Sequence, residues 1–407
     1  MKIYTFLMVG LTLLLSSCEN DTPDTPTEKG TRTVLAYLMA DNTLSSFSSA
    51  DIDEMVEGMK QVNTSECNLL VYVDGKDSSP VLYHIYKDMK GKVQKEAIKN
   101  YEEQISTDAT VLQEVMQRAF SEYPADSYGL VIWSHGNGWI PKPFPEKKGI
   151  STRWIGEDDT DGIHYLNITD MAAVFETMPH LDFILFDACF GQTIEVAYEL
   201  RKYADYIIGS PTEIPAPGAP YDKVVPAMFS SESVGKKIGE AYYRPYADNF
   251  DENVVNNPAA PWEDGYNGKW ISGASVSVVN CAALEELASV TKQLLSSTAP
   301  DLSTLHKSNI FNYNKLFGND CDYFDMKQLM QYLLVDVSAW NSAFANAIIY
   351  WSSTPLNFSD FAGCFPLPQD ETCGLSHYIP LSTTSATSDA YRSTAWYKAA
   401  GLSKLNW

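Results

Sequence analysis

A chain of 407 residues with 45% hydrophobic and 12% aromatic side chains can bury one large α/β core, with enough left over for a smaller lobe, and is not disordered. The 52 acidic residues outnumber the 29 basic ones, and the net charge of −23 argues against a nucleic-acid partner. The acidity either attracts cationic substrates or only keeps the surface solvated.

The first residues have the composition of a signal peptide. Lys2 precedes an apolar run over 3–15, which is too short for a permanent membrane-spanning helix. The run ends in Leu15-Ser16-Ser17-Cys18, which resembles the lipobox of bacterial lipoproteins, in which the cysteine takes the lipid. An ordinary signal peptide is the alternative. We predict a signal peptide over 1–17 and a membrane anchor at Cys18.

Residues 18–32 are too polar and proline-rich to fold, and we predict a disordered tether. The acidic patch directly after Cys18 resembles the surface-export signal of Bacteroidetes lipoproteins. These features predict a protein of the cell envelope, anchored by lipid in the outer membrane and exposed at the surface. We also expect a monomer.

From residue 33 onward, apolar strand-like runs alternate with helical patterns. The alternation predicts strands over 33–38, 68–73, 129–133 and 183–186, and helices over 50–59, 111–120, 171–177 and 193–202. Such an order implies a largely parallel sheet with helices on both faces and ligands beyond the carboxyl ends of the strands.

The pattern changes between Pro211 and Pro261, where a helix is predicted near 234–243, and we place a soft boundary there. Beyond it we predict a strand from about Ser272, a helix over 282–295 and a late strand over 376–379. Residues 223–407 are therefore expected to complete the sheet and to form a smaller α+β subdomain.

Six cysteines follow Cys18 and would meet an oxidising compartment. Cys364 and Cys373 are the candidate disulfide pair, because they bracket a turn-rich segment over 365–370.

Two predicted strands end in reactive side chains. His135 follows the strand over 129–133, and Cys189 follows the strand over 183–186. Either residue alone is weak evidence, but neighbouring parallel strands would bring together the thiol and imidazole that a cysteine peptidase needs. Gly136 would let a substrate approach, and its backbone N–H, with that of Cys189, could donate to the developing oxyanion.

The segments around these residues resemble the clostripain family of peptidases, which belongs with caspases, legumain and gingipains to one clan. Matching segments lie at 37–44, 133–139, 186–189, 194–200 and 209–215, with a weaker match at 374–380. The resemblance implies a caspase-like sandwich with a largely parallel central sheet flanked by helices, and a catalytic core over 33–222. It also implies a Cys189–His135 dyad that cleaves proteins or peptides after Arg or Lys through an acyl-enzyme, without a cofactor for the chemistry.

The resemblance makes Asp187 the acid that recognises the substrate Arg or Lys. A carboxylate two residues before the nucleophile lies on the same side of an extended strand end and could pair with a guanidinium. The alternative is a structural carboxylate that caps the following helix at Gly191. The sequence departs from the family pattern at 190–192 and at Ala219, which leaves the preference of the pocket open, with Glu213 as the next candidate.

Two other functions compete with this interpretation. One is a surface-binding lipoprotein that has lost catalysis, and the other is a caspase-like peptidase with a non-basic preference. The intact dyad argues against the first, and Asp187 against the second. Relatives can depend on calcium, for which the acidic cluster over 157–161 could supply oxygen ligands; a solvated acidic loop is the alternative.

Residues 141–153 are basic and punctuated by proline, and they predict an exposed loop between the two motifs. Family members often mature by cutting themselves in this interval, so the resemblance implies self-cleavage, with Lys147 and Lys148 as the candidate sites. An uncut loop with solvated lysines is the alternative.

Overall fold

The computed structural model describes residues 30–62, 66–140, 154–252, 273–298, 300, 302, 305–314, 323–359, 363–380 and 383–407.

A nine-stranded sheet forms the centre of the fold. Its strands are β1 (Gly30–Ala40), β2 (Cys67–Gly75), β3 (Ser78–Lys87), β4 (Val93–Asn100), β5 (Ala125–Trp133), β8 (Leu181–Asp187), β9 (Ala204–Gly209), β10 (Ser275–Asn280) and β12 (Ile348–Ser353). Three two-stranded ladders accompany it: β6 (Glu157–Asp158) with β7 (His164–Tyr165), β11 (Tyr323–Asp325) with β15 (Ser376–Tyr378), and β13 (Leu356–Ser359) with β14 (Gly363–Pro366).

The strand order is β12-β10-β9-β8-β5-β1-β2-β3-β4. The five strands from β9 to β2 run parallel, and two antiparallel strands extend the sheet at each edge. Trp133 of β5 lies opposite Leu38 of β1 on one side and Asp187 of β8 on the other. Because these strands are parallel, the residues that follow β1, β5 and β8 meet at one edge. The predicted parallel centre is confirmed.

Helices cover both faces of the sheet. They are α1 (Ser45–Met59), α2 (Ala109–Glu122), α3 (Ile168–Phe175), α4 (Ile194–Leu200), α5 (Tyr221–Met228), α6 (Val234–Asn249), α7 (Leu284–Thr298), α8 (Met326–Leu333), α9 (Ser338–Ala347), α10 (Ala386–Ser393) and α11 (Ala395–Ala399). Alternate residues of β1 enter two cores. Leu35 and Tyr37 pack with α2, α3, α4 and α7, whereas Val34 and Ala36 pack with α1, α5 and α6. Burial on both faces explains why the strand reads as a continuous apolar run.

The disulfide predicted between Cys364 and Cys373 is wrong for this structure. Cys373 is a free, buried thiol whose Sγ donates to the carbonyl oxygen of Leu375 at 3.3 Å. Its backbone N–H donates to Asp325 Oδ2 at 2.7 Å, which holds it at the end of β11, whereas Cys364 pairs with Phe358 in a separate ladder. Burial and then the charge of Asp325 raise the pKa of the Cys373 thiol well above its usual range.

Among the described residues, no helix is both long enough and apolar enough to cross a lipid bilayer.

Candidate active site

His135 stands beyond the carboxyl end of β5 on a tethered backbone. Ser134 Oγ donates to the carbonyl oxygen of Met39 on β1 at 2.9 Å. Gly156 N donates to the carbonyl oxygen of His135 at 3.0 Å. The first bond joins the preceding residue to β1, and the second joins His135 to the chain before β6, so the backbone position of His135 is set by the sheet.

Cys189 occupies a sharp turn between β8 and α4. The next residue, Phe190, has a φ of 56°, in the left-handed region that bulky residues rarely adopt. Its side chain is fully buried, and its N–H donates to the carbonyl oxygen of Thr212 at 2.9 Å. Cys189 is half-buried, and its Sγ accepts a hydrogen bond from Ile214 N at 3.4 Å. The packing of Phe190 therefore holds the turn that presents the thiol.

The two strand ends touch at Gly136. A Cβ placed on Gly136 would lie 2.5 Å from the carbonyl oxygen of Cys189, so the contact requires glycine. Gly136 also bridges Ile155, and the donors of that antiparallel bridge are the N–H groups of Asn137 and Gly156. The N–H of Gly136, which is the predicted donor to the oxyanion, therefore takes no part in this bridge.

A cavity of about 390 Å³ opens over this contact, and we call it the dyad cavity. The structure brings all the residues predicted for the dyad, the oxyanion and the substrate carboxylate to its walls: His135, Gly136, Asp187 and Cys189. The remaining wall includes the apolar side chains of Leu44, Phe47, Trp133 and Phe358 and the acids Glu157 and Glu213. Such a wall suits a side chain with a long aliphatic stem and a charged head.

Asp187 lies beneath the dyad cavity and is only 2% exposed. Its Oδ2 accepts hydrogen bonds from Ala219 N at 3.0 Å and from the Tyr221 hydroxyl at 2.8 Å, and its Oδ1 accepts one from the Tyr242 hydroxyl at 3.2 Å. Burial raises the pKa of Asp187 to about 6, while the three hydrogen bonds oppose that rise. The carboxyl is therefore mostly ionised at neutral pH.

The alternative role for Asp187, capping the following helix at Gly191, is wrong. The N-cap of α4 is Thr193, whose Oγ1 accepts a hydrogen bond from Val196 N at 3.2 Å. The groups that donate to Asp187 lie beyond α4, at Ala219 and on α5 and α6.

Gly218 leaves room above the carboxylate. Its φ is 58°, and a Cβ there would lie 2.6 Å from Asp187 Oδ2. The Tyr246 hydroxyl donates to the carbonyl oxygen of Gly218 at 2.7 Å and fixes the loop in this position. A side chain at residue 218 would therefore collide with the carboxylate.

Sequence reasoning missed the tyrosines that hold Asp187. Tyr221 and Tyr242 follow it by 34 and 55 residues, so no local pattern connects them to the carboxylate. It also missed the support of the cavity wall, where the indole N–H of Trp133 donates to Asp51 Oδ2 at 2.7 Å. Tyrosines at the start of α5 and within α6 would have been the signal, but buried tyrosines are too common to single them out.

The remaining predicted residues divide into two groups. Cys18, Lys147 and Lys148 lie outside the described residues. The acidic cluster over 157–161 is described, and a solvated loop is the wrong interpretation for part of it, because Asp158 is fully buried in β6 and accepts bonds from the N–H and hydroxyl of Ser106 at 2.6 and 2.7 Å. Within the described ranges, no three His, Cys, Asp or Glu side chains are arranged to hold a metal ion.

The parallel-centred sheet with helices on both faces places the chain among the cysteine proteases of caspase-like fold, because it superposes on solved structures of such enzymes. One is a secreted C11 cysteine protease from Bacteroides thetaiotaomicron in complex with an irreversible peptide inhibitor, with a TM-score of 0.80 and 40% identity, covering 92% of this chain and 99% of that one. Another is an inactive zymogen C11 protease from Parabacteroides distasonis, with a TM-score of 0.75 and 29% identity, covering 92% of this chain and 99% of that one.

The chain belongs to the clostripain family, whose model matches residues 36–353. It is 30% identical over 224 residues to clostripain from Hathewaya histolytica, a match that takes in 47% of this chain. The match spans only 41% of the length of that relative.

Proposed function

We propose that this chain is a cysteine endopeptidase that cleaves after Arg or Lys, with Cys189 as nucleophile and His135 as its acid/base partner. The observation that carries the proposal is the dyad cavity, which collects a half-buried thiol, an imidazole and a buried carboxylate from two neighbouring strand ends. The peptide inhibitor bound to the related protease from Bacteroides thetaiotaomicron supports a peptide substrate.

In the proposed reaction, the Cys189 thiolate attacks the scissile carbonyl carbon and His135 protonates the leaving amine. The acyl-enzyme is then hydrolysed by a water that gives up its proton to His135. The N–H groups of Gly136 and Cys189 would donate to the oxyanion in both steps. No metal enters this chemistry. Calcium dependence stays a prediction, to be measured by assaying the protein with a chelator and with added Ca²⁺.

Asp187 supplies the proposed preference for a basic side chain. Its ionised carboxyl lies below an apolar wall and is reached past Gly218, so an arginine or lysine would bury its stem against the wall and meet the carboxylate with its cation. The family resemblance implies the same preference. Glu213, which is 2% exposed and lines the same cavity, stays the next candidate.

Hydrolysis of fluorogenic peptide amides ending in arginine, lysine, asparagine or aspartate tests the proposal. We expect turnover of the two basic amides, and a fall of at least about a thousandfold in Cys189→Ala and in His135→Ala, because the pair acts as one unit. A wild-type protein inactive on all four would favour the surface-binding alternative. Turnover confined to asparagine or aspartate would favour a non-basic peptidase.

The envelope location is a separate proposal. We propose that Cys18 carries a lipid that anchors a monomeric enzyme in the outer membrane, on the basis of the lipobox-like sequence and the polar tether after it. The related protease from Bacteroides thetaiotaomicron is described as secreted, which agrees with a location beyond the cytoplasm. Incorporation of labelled palmitate into the wild type and not into Cys18→Ala is the expected result.

A further inference from the structure

Thr43 contacts the imidazole of the proposed dyad from the side of β1. Its Oγ1 lies 2.7 Å from His135 Nε2, within hydrogen-bond distance. The direction of the bond depends on the tautomer: a neutral ring protonated at Nε2 or a charged imidazolium donates to the hydroxyl. In either case the contact fixes the direction in which the plane of the ring points.

The backbone that carries Thr43 is held firmly by its neighbour. Asn42 is 1% exposed, and its Nδ2 donates to the carbonyl oxygens of Met39 and Glu157, each at 2.9 Å. Its Oδ1 accepts a hydrogen bond from Leu44 N at 2.9 Å, which closes the turn over Thr43. Both carboxamide ends of Asn42 are therefore used to fix the two-residue path from β1 to the imidazole.

The arrangement follows from the sheet. The turn lies beyond the carboxyl end of β1, and His135 lies beyond that of β5, the parallel neighbour of β1. Asn42 Nδ2 also approaches Ser134 Oγ at 3.4 Å, so the turn is joined to the residue directly before the histidine. The segment over 37–44 is one of the sequence motifs singled out above, and the proposed chemistry gives it no task.

We propose that Thr43 is a positioning residue for His135, which fixes the orientation of the imidazole in the dyad cavity, and that Asn42 fixes Thr43 in turn. The inference rests on the proposed dyad. Thr43 also lines the dyad cavity, and its proposed effect on the reaction passes through the imidazole.

Thr43→Val tests the inference, because it removes the hydroxyl and nearly keeps the shape, whereas Thr43→Ser keeps the hydroxyl. For arginyl amides we expect Thr43→Val to lower kcat by about tenfold or more with KM little changed, as one lost hydrogen bond of this kind would. Alkylation of Cys189 by iodoacetamide, followed on its own peptide by mass spectrometry, should slow in parallel. Thr43→Ser should restore both rates.

Thr110→Val is the matched control, an exposed threonine on α2 that does not line the dyad cavity. Wild-type kcat and alkylation rates in Thr43→Val would overturn the inference. Equal losses in Thr43→Val and Thr43→Ser, accompanied by a lowered Tm, would also overturn it, because they would mark a structural role. Failure of the proposed function is a different result, a wild type without activity on basic amides, and in that case the alkylation rates still decide the role of Thr43.

Discussion

At the scale of the single residue, the proposed role of Asp187 in substrate recognition can be tested separately from folding. Its carboxyl accepts hydrogen bonds on both oxygens, and asparagine would keep its size while losing the charge. We expect Asp187→Asn to lower kcat/KM for arginyl amides by about 10 to 100-fold, the loss of one charge-assisted contact, and to change that for the neutral citrullyl analogue far less.

The control for this change is Asp53→Asn, which removes a carboxylate of α1 that is 81% exposed. This variant should keep the wild-type kcat/KM for both the arginyl and the citrullyl amide. If Asp187→Asn kept the wild-type ratio of arginyl to citrullyl cleavage, the recognition of the cation would move to another acid, and Glu213 would be examined next.

The tyrosine hydroxyls that donate to Asp187 lead to a prediction of how the preference for arginine depends on pH. The pKa of Asp187 is about 6, raised by burial and restrained by its donors, including Tyr242. A pocket that needs the anion loses its preference for arginine as the pH falls through this pKa. Tyr242→Phe removes a donor that favours the anion, so the pKa should rise and the preference should be lost at a higher pH than in the wild type.

The quantity to measure is the ratio of kcat/KM for arginyl and citrullyl amides between pH 5 and 9, since titration of the dyad affects both substrates and cancels in the ratio. Tyr243→Phe, which changes the adjacent tyrosine whose hydroxyl donates to the carbonyl oxygen of Ser353, is the control. A midpoint that stays in place in Tyr242→Phe would show that this hydroxyl does not tune the carboxylate.

At the scale of the element, the stability of the turn from β8 to α4 depends on two opposing contributions, the backbone strain and the packing of Phe190. Phe190 in the left-handed region costs about 1 to 2 kcal/mol, which a glycine would relieve. Its buried ring, 5.6 Å from that of Tyr323, contributes more, since deleting a buried phenylalanine costs about 3 to 5 kcal/mol. We therefore expect Phe190→Gly to lower the free energy of unfolding by about 2 kcal/mol or more.

Urea denaturation, with Cys189→Ala as the common parent to prevent autolysis, measures this change. Phe190→Ala keeps the backbone cost and loses the ring, so it should be less stable than Phe190→Gly. A Phe190→Gly variant as stable as its parent would mean that backbone strain, and not packing, dominates the turn.

Some strands and helices could be predicted from the sequence, and others could not. The elements between 33 and 202 that carry His135 and Cys189 are all present, because buried parallel strands produce long apolar runs that stand out from helical patterns. The edge strand β4 was missed, since its residues are all half-buried or exposed and include no apolar run. Strand β9 was missed as well, although it is the fifth member of the parallel centre, because its apolar run is only two residues long, Ile207 and Ile208.

The residues of the site also fall into those that the sequence could predict and those that it could not. Residues next to a strand end, such as His135, Gly136 and Asp187, could be placed from the sequence because the sheet orders them. Tyr242 and Thr43 could not, because their contacts depend on how distant turns and helices pack, even though Thr43 lies in the matching segment over 37–44.

At the scale of the whole molecule, the central sheet consists of two halves that come from the two sides of the predicted cleavage site. A cut after Lys147 or Lys148 would fall between β5 and β6 in the chain. The amino-terminal product would hold β5-β1-β2-β3-β4, and the carboxyl-terminal product would hold β12-β10-β9-β8, each an uninterrupted half of the sheet order. The halves meet where β5 pairs with β8, along the register that ends at Trp133 and Asp187. His135 would lie on one product and Cys189 on the other.

This division leads to the final prediction, which concerns self-processing. We expect the wild type to mature into two chains cut after Lys147 or Lys148, whereas Cys189→Ala and the double variant Lys147→Gln/Lys148→Gln stay intact. The two chains should elute together in gel filtration and separate only under denaturing conditions, because the β5–β8 pairing and the cores on both faces persist without the covalent link. Intact-mass analysis identifies the cut. A single uncut species with full activity in the wild type would reject the prediction, and two chains that separate in native gel filtration would reject the structural argument for their association.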